Sequence, residues 1–338
     1  MIAWKPKSNN RAVASVRYRC LMPLDALQKA GYEVELFDDR RLASYDAVIF
    51  SKLYDKKNIE IAKRLKRQGS SVILDICDNH LYNPKGLPEY EQVQQNLREM
   101  IGLSDLIVCA SDALADVLKN EVGLQQRPLV IGDGIETLPA NDGISIAPGA
   151  AKYNLLWFGN HGSPNAQCGM LDLLTIRSEL ESLSSQHSVD LHVVSNNEAM
   201  YLEHILPLAL PTRYSEWSYE TFESVIRGSN AILIPISNNP FSICKTNNRL
   251  VMGLSFGIPV IADRIPSYEE FDEFVALGDW QLGFDQLVNQ PEEMKSRAVK
   301  GREYVELNWA TENITPQWMQ LLDSINEYGS PICSARIS

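Results

Sequence analysis

Short apolar runs alternate along the whole chain with stretches that are apolar on one face only, and this alternation predicts β-α-β units built on parallel sheet. In the first half the expected strands are Ile2–Trp4, Glu33–Phe37, Ala47–Ser51, Ser71–Ile76, Leu106–Ala110 and Leu129–Ile131. Helices fit between them. Leu21, Leu24, Leu27 and Ala30 recur at helical spacing with Gly31 as the stop, and Ser111 is placed to cap a helix over 112–121. From Thr137 to Lys152 the chain is rich in Pro, Gly and Ala and loses its periodicity, as a linker does. The alternation then restarts, with strands at Leu155–Phe158, Leu191–Ser195, Ala231–Pro235 and Pro259–Ala262, and helices near 170–183, 219–227 and 248–256. Two further helical stretches, around 294–307 and 315–328, have no strand between them and are expected to pack back over the first half.

The pattern predicts an α/β chain of two Rossmann-like, doubly wound domains. The expected boundaries are 1–140, a linker at 141–152, a second domain at 153–307 and a crossover helix and tail at 308–338. The strand carboxyl ends of such sheets are where ligands bind, and two of them facing one cleft suit a two-substrate transferase or a two-lobed binding protein.

Composition narrows this. With 45% apolar and 22% charged residues the chain is globular, and a net charge of −12 leaves no broad positive field for nucleic acid. Six scattered cysteines form no Cys-x-x-Cys pair, and five histidines form no His-x-x-x-His pair, so no metal site is expected. The segment Met1-Ile-Ala-Trp-Lys-Pro-Lys has no apolar core of the signal-peptide kind, and no run spans a bilayer; a cytoplasmic protein is the expectation. Lys56, Lys57, Lys63, Arg64, Lys66 and Arg67 share one amphipathic stretch, which reads as a solvated face, with peripheral membrane contact as the alternative.

Several motifs fail. Gly-x-Gly-x-x-Gly and the P-loop are missing. Gly253-Leu-Ser255-Phe-Gly257 matches a nucleophile elbow in letters, but there a strand must enter the serine and a helix leave it, the reverse of the order expected here. What remains is the stretch from Ile232 to Asp263, which reads strand, polar loop, helix, Gly-Pro stop, strand. Its loop brings Lys245, Thr246, Asn247 and Asn248 to a helix amino terminus, where free N–H groups and the helix dipole favour an anion such as pyrophosphate. The plainer alternative is a capped helix with a solvated lysine.

In this order the motifs resemble the nucleotide-sugar glycosyltransferases of the GT-B fold, family 4 and its relatives. Val16-Arg-Tyr-Arg-Cys-Leu-Met-Pro looks like their first loop and helix, and Ser104-Asp-Leu-Ile-Val-Cys-Ala-Ser like their last amino-domain unit. Ile131-Gly-Asp-Gly-Ile-Glu136 sits where they turn before the linker, Leu155-Leu-Trp-Phe-Gly-Asn160 opens the nucleotide domain, and Gly257-Ile-Pro-Val resembles the strand after the diphosphate-facing loop. Trp309 and Trp318 fall in the closing helices. The chain departs from the family at its Glu-x7-Glu pair, where Cys244 and Met252 stand.

The resemblance implies transfer of a sugar from a nucleotide-sugar donor to an acceptor hydroxyl, retaining and metal-independent. No cofactor beyond the donor is implied, and the acceptor would be a glycan or glycolipid in surface-polysaccharide assembly. The alternatives are a GT-B sugar-nucleotide epimerase and an inactive nucleotide-sugar-binding partner protein. Lys245 is the expected catalytic cation for the leaving diphosphate. Thr246, Asn247, Asn248, Asn160, His161 and one of Arg17 and Arg19 are expected around that diphosphate, with the loop after Gly159 presenting backbone N–H groups. Asp78 and His80, ending Leu74-Asp-Ile-Cys-Asp-Asn-His, would orient the acceptor hydroxyl or accept its proton. Ser195 and Asn196 would touch ribose or phosphate, and Tyr214 or Trp217 would stack on the base. Arg249 is expected to pair internally with a carboxylate.

Overall fold

The computed structural model describes residues 1–135 and 152–328, so the expected linker, save Lys152, lies outside the described residues, as do Glu136, Cys333 and the end of the tail. The chain divides into two compact bodies. The first comprises the amino-terminal residues through Ile135, the short stretch Cys244–Thr246 and the chain from Ala310 onward; the second holds the rest.

The sheet of the first body is β1 (Ile2–Lys5), β2 (Val34–Leu36), β3 (Ala47–Ser51), β4 (Ser71–Ile76), β5 (Leu106–Cys109) and β6 (Leu129–Val130). They lie in the order β2-β1-β3-β4-β5-β6 and every pairing is parallel. β3 is buried at every position, as the continuous apolar run Ala47-Val-Ile-Phe requires of a strand covered on both faces. The sheet order reverses between β1 and β3, and this switch point opens a crevice outside their carboxyl ends.

The second sheet is β7 (Tyr153–Phe158), β8 (Val189–Ser195), β9 (Thr212–Glu216), β10 (Ala231–Ile234), β11 (Val260–Ala262) and β12 (Ala276–Leu277). It is also wholly parallel, in the order β12-β11-β10-β7-β8-β9, and its switch point lies between β7 and β10. β9 and β12 were not foreseen. β9 reads Thr-Arg-Tyr-Ser-Glu and is half-exposed at the sheet edge, so it lacks the apolar run that announces the inner strands.

Local signals explain most element ends. Gly31 (φ 89°) and Gly123 (φ 73°) stop their helices in left-handed backbone, and Ser111 Oγ accepts from the Leu114 N–H at the start of the helix Asp112–Val122. Gly253 lies where a Cβ would come 2.8 Å from the Ile232 side chain and 2.9 Å from Val260, so its place in the helix Asn248–Ser255 is a packing requirement. Ser255 ends that helix with its Oγ on the Met252 carbonyl, which disposes of the nucleophile-elbow reading.

Of the two closing helices only the last belongs to the first body. Pro291–Asn308 stays with the second, where Gly301 packs on Leu254 and Phe274. Thr311–Tyr328 docks through Trp318, whose ring lies 4.7 Å from that of Trp4, and Thr311 Oγ1 donates to the Ile135 carbonyl.

Candidate functional site

The site residues of the first body gather at the carboxyl ends of β3 and β4. Asp78 lies two residues past β4, and its two oxygens accept from different lysines, Oδ1 from Lys245 and Oδ2 from Lys52. Lys52 directly follows β3 and, among the described residues, is the one non-glycine with positive φ, at 56°. A left-handed lysine is the sort of local strain that collects at functional positions. Beside them the Tyr54 hydroxyl meets His80 Nδ1, and the His80 ring stands edge-on to Tyr54 and Tyr90.

Burial and charge oppose each other here. Burial alone would raise the Asp78 carboxyl, but Lys245 and Lys52 outweigh it and hold the group well below the usual carboxylate range. Burial lowers His80 to about 4, with Lys52, Lys245 and Lys7 adding to the shift against Asp78. Burial pushes Tyr54 up, and it pushes the neighbouring Cys77 thiol up to about 12. At neutral pH the cluster is therefore two ammonium groups on one carboxylate beside a neutral imidazole and a neutral phenol. With both oxygens held by lysine ammonium groups, the Asp78 carboxylate is a weak base.

Arg19 corrects the sequence reading. It is not in a loop reaching toward phosphate but inside a helix that runs from Ala14 to Lys29 through a π-type turn at Arg17–Leu21. That turn aims Arg19 into the core, 2% exposed, where Nη2 lies 2.5 Å and Nε 3.1 Å from Asp75 and Nη1 lies 2.5 Å from the Ile131 carbonyl and 3.1 Å from Asp133. All three nitrogens are engaged with protein. Arg17 is buried too, with Nη1 on the Arg11 carbonyl and its guanidinium over the Tyr18 ring, so neither arginine offers an open face to a diphosphate. The Ile131-Gly-Asp-Gly-Ile segment, read from the sequence only as a turn, is Arg19's partner.

In the second body the polar residues collect beyond β7 and β8. Asn196 Oδ1 accepts from the His161 backbone N–H at 3.0 Å and lies 3.0 Å from His161 Nδ1. Asn160 Oδ1 accepts from the Gly162 N–H at 3.0 Å. The backbone N–H groups of Gly159, His161 and Gly162 are therefore engaged within the second body, by the Val194 carbonyl, Asn196 and Asn160. Ser195 is buried with its Oγ on the Gly159 carbonyl at 2.8 Å, so it braces the loop instead of reaching ribose. Tyr214 packs against Tyr201 and donates to Glu216, away from any stacking role, while Trp217 lies half-buried against Tyr219 and Phe222 just past β9.

The loop after β10 ends at Asn247, the N-cap of the helix Asn248–Ser255, yet no side chain caps this helix: the Asn247 amide faces Glu270 at 3.4 Å. Its first-turn N–H groups thus lack the cap that the plainer sequence reading assigned to Thr246 or Asn247. Thr246 is buried in the first body and Asn248 half-buried in the second.

Sequence reasoning missed Asp172. It is 1% exposed, and its carboxylate accepts from the Gly169 N–H at 2.8 Å, the Ser237 N–H at 3.1 Å and the Ser237 hydroxyl. It joins the loop after β7 to the loop after β10. Burial raises this carboxyl, while Ser237 and Arg249 act to lower it, the internal relation expected of Arg249. Gly169 (φ 77°) closes the same joint, since a Cβ there would come within 2.7 Å of the backbone of Asn160, His161 and Gly162. Lys52 was missed as well, although its place directly after a strand beside the switch point was a usable signal.

No protein-family model matches the sequence, and no curated protein sequence matches it. Solved structures do. HepE of Anabaena, solved with UDP and glucose, superposes with a TM-score of 0.67 over 96% of this chain and 99% of its own at 14% identity. S. aureus TarM, solved with fondaparinux, α-GlcNAc-glycerol and UDP, gives 0.58 at 14% identity over 82% of this chain and 55% of its own. The pneumococcal O-GlcNAc transferase GtfA, solved with UDP and GlcNAc, gives 0.57 at 14% over 83% and 57%. The chain has the GT-B fold.

Proposed function

We propose that the protein is a glycosyltransferase that moves a sugar from a nucleotide-sugar donor to an acceptor hydroxyl. The observation that carries this reading is the polar rim of the second sheet, His161 and the Asn160 and Asn196 amides, set beside the switch point of a fold shared almost end to end with a structure that holds UDP. The donor nucleotide would lie along that rim. Lys245 would take the charge of the departing diphosphate and would then exchange Asp78 for phosphate.

The finer parts of the proposal follow from the first body. A clamped Asp78 and a His80 lowered to about 4 are poor bases, which supports a retaining transfer in which the departing phosphate takes the acceptor proton. A lysine in the role of the cation makes the transfer a metal-independent one in this reading. A glycan or glycolipid acceptor in surface-polysaccharide assembly, reached from the cytoplasm, completes the reading. Among the described residues no helix is long and apolar enough to cross a membrane. The basic helix Lys56–Arg67 has part of its charge paired, Lys63 with Glu60 and Glu99 and Lys66 with Asp105.

Calorimetric titration with UDP, GDP, ADP, CMP and dTDP tests the donor site. One nucleotide is expected to bind, with affinity reduced about tenfold, or about 1.4 kcal/mol, in both His161→Ala and Lys245→Ala. Binding without sugar transfer to any acceptor would mark an inactive binding protein, and no binding at millimolar nucleotide would reject the donor site.

A further inference from the structure

Asp78 is one carboxylate between two ammonium groups, and the two reach it by different routes. Lys52 directly follows β3, and its N–H donates to the Asp75 carbonyl at 2.8 Å, which carries the pairing of β3 with β4 one residue past the strand. There the backbone turns left-handed (φ 56°), and the side chain meets Asp78 Oδ2 beyond the end of the neighbouring strand. Burial would lower the Lys52 ammonium, but Asp78 outweighs it and keeps the group protonated. Among the described residues Asp78 is the one carboxylate within ion-pair distance of Lys52. Nearby acids are committed elsewhere: Asp75 to Arg19 and Ser51, Asp133 to Arg19, and Asp55 to the first N–H groups of the helix Lys56–Arg67. Lys245 comes from the loop after β10 and takes Oδ1. The Asp78 side chain is 12% exposed, against 30% for Lys52 and 32% for Lys245, so the carboxylate is the fixed centre and the lysines are the parts a ligand can reach. Two cations on one anion also repel each other, so each is held less firmly than it would be alone.

We propose that Lys52 is a positioning residue for the donor step: by holding Oδ2 it divides Asp78 between two cations, so that the carboxylate keeps Lys245 in place yet gives it up to a diphosphate. This deepens the glycosyltransferase reading and rests on it. What the diphosphate has to overcome is the attraction of Asp78 less the repulsion of Lys52. Without Lys52 the carboxylate would belong to Lys245 alone and would grip it. Once Lys245 has turned to phosphate, Lys52 remains as the counter-charge that a covered carboxylate requires. Lys52 is in this account no ligand of the donor, and acting through Asp78 gives its removal a different signature from the loss of a direct contact.

The test has two arms, run on the full chain with Lys52→Met, Asp78→Asn and the double variant. In the first, without nucleotide, the rate of Lys245 acetylation by trace acetic anhydride is read by mass spectrometry. An ammonium gripped by a carboxylate gives up its proton less readily and labels more slowly. The expected order is Lys52→Met slowest, wild type between and Asp78→Asn fastest, in steps of about threefold. In the second, calorimetric titration with UDP and with inorganic pyrophosphate is expected to show binding about fivefold weaker in Lys52→Met and about threefold tighter in Asp78→Asn. In the Asp78→Asn background Lys52→Met should change affinity by less than about twofold, because Lys52 then has nothing to act through. Lys52→Arg keeps a cation on Oδ2 and should restore both readouts, and Lys52→Gln stands in for Lys52→Met if that variant does not fold. A Lys245 labelling rate that is unchanged or faster without Lys52, or affinity that falls equally with and without Asp78, overturns the proposal. Absence of binding in every variant while the labelling order holds strikes the donor reading and leaves the division of Asp78 standing.

Discussion

The two bodies share a sheet type yet secure their strand ends by different chemistry. In the first, ions do it: Arg19 joins Asp75 on β4 to Asp133 beyond β6, and Asp78 joins Lys52 to Lys245. In the second, one buried carboxylate, Asp172, gathers two amides and a hydroxyl, and Asn160 and Asn196 hold the neighbouring loop with their side-chain amides. An ion network is firm only while every partner is present, because each member has lost its water and depends on the others. Neutral donors cost less to desolvate, so such a joint fails in smaller steps.

Removing Arg19 is the severest test of that contrast. Arg19→Met leaves Asp75 and Asp133 buried without their cation, and a loss of about 3–5 kcal/mol in urea unfolding is expected. The Arg19 guanidinium also lies 5.4 Å from the centre of the Trp318 ring, so the last helix should loosen with it, visible as early exchange of its amide protons. A loss below about 1 kcal/mol would mean that the triad is dispensable and the contrast false.

Asp172→Ala is the matching cut in the second body, expected to cost about 2–3 kcal/mol as the Gly169 and Ser237 donors lose their acceptor. Because the joint positions His161, UDP affinity should fall along with stability. Asp172→Asn, which keeps one carbonyl oxygen, should recover part of both. Stability lost with UDP affinity unchanged would uncouple the joint from the site.

How much of this was legible in the chain depends on what kind of signal each feature leaves. The inner strands announce themselves because a parallel strand buried on both faces must be apolar throughout, as Ala47-Val-Ile-Phe is, and the helix stops at Gly31 and Gly123 are backbone requirements visible one residue at a time. β9 escaped because an edge strand needs no such run. Asp78, His80, His161 and Asn196 were legible as polar residues directly after apolar runs. Arg19 follows an apolar run at a distance as well, and only the π-type turn, which no spacing rule marks, sends it inward. Asp172 left no signal, since its partners Gly169 and Ser237 lie on either side of several elements and the joint exists only in three dimensions.

The smallest expected effect separates the bodies by pH. His80 in the first and His192 in the second are both lowered to about 4, burial being the larger cause in each, but His80 is lowered further by Lys52, Lys245 and Lys7, and His192 by Arg213 alone. A histidine whose folded value lies below its unfolded value of about 6.5 binds fewer protons folded than unfolded between the two. Stability therefore rises with pH through that window and is lost as pH falls from about 6.5 toward 4. For a partly covered ring the contribution is about 2 kcal/mol. His80→Gln should flatten the part of the slope owed to the first body and leave the His192 part intact, measured by urea unfolding at stepped pH. Lys7→Gln provides the finer cut, because it removes one cation from His80 and none from His192. In an NMR titration of the ring protons it should move His80 upward and leave His192 where it was; equal movement of both, or none at His80, would show that Lys7 does not reach the charged cluster on which the contrast between the two bodies depends.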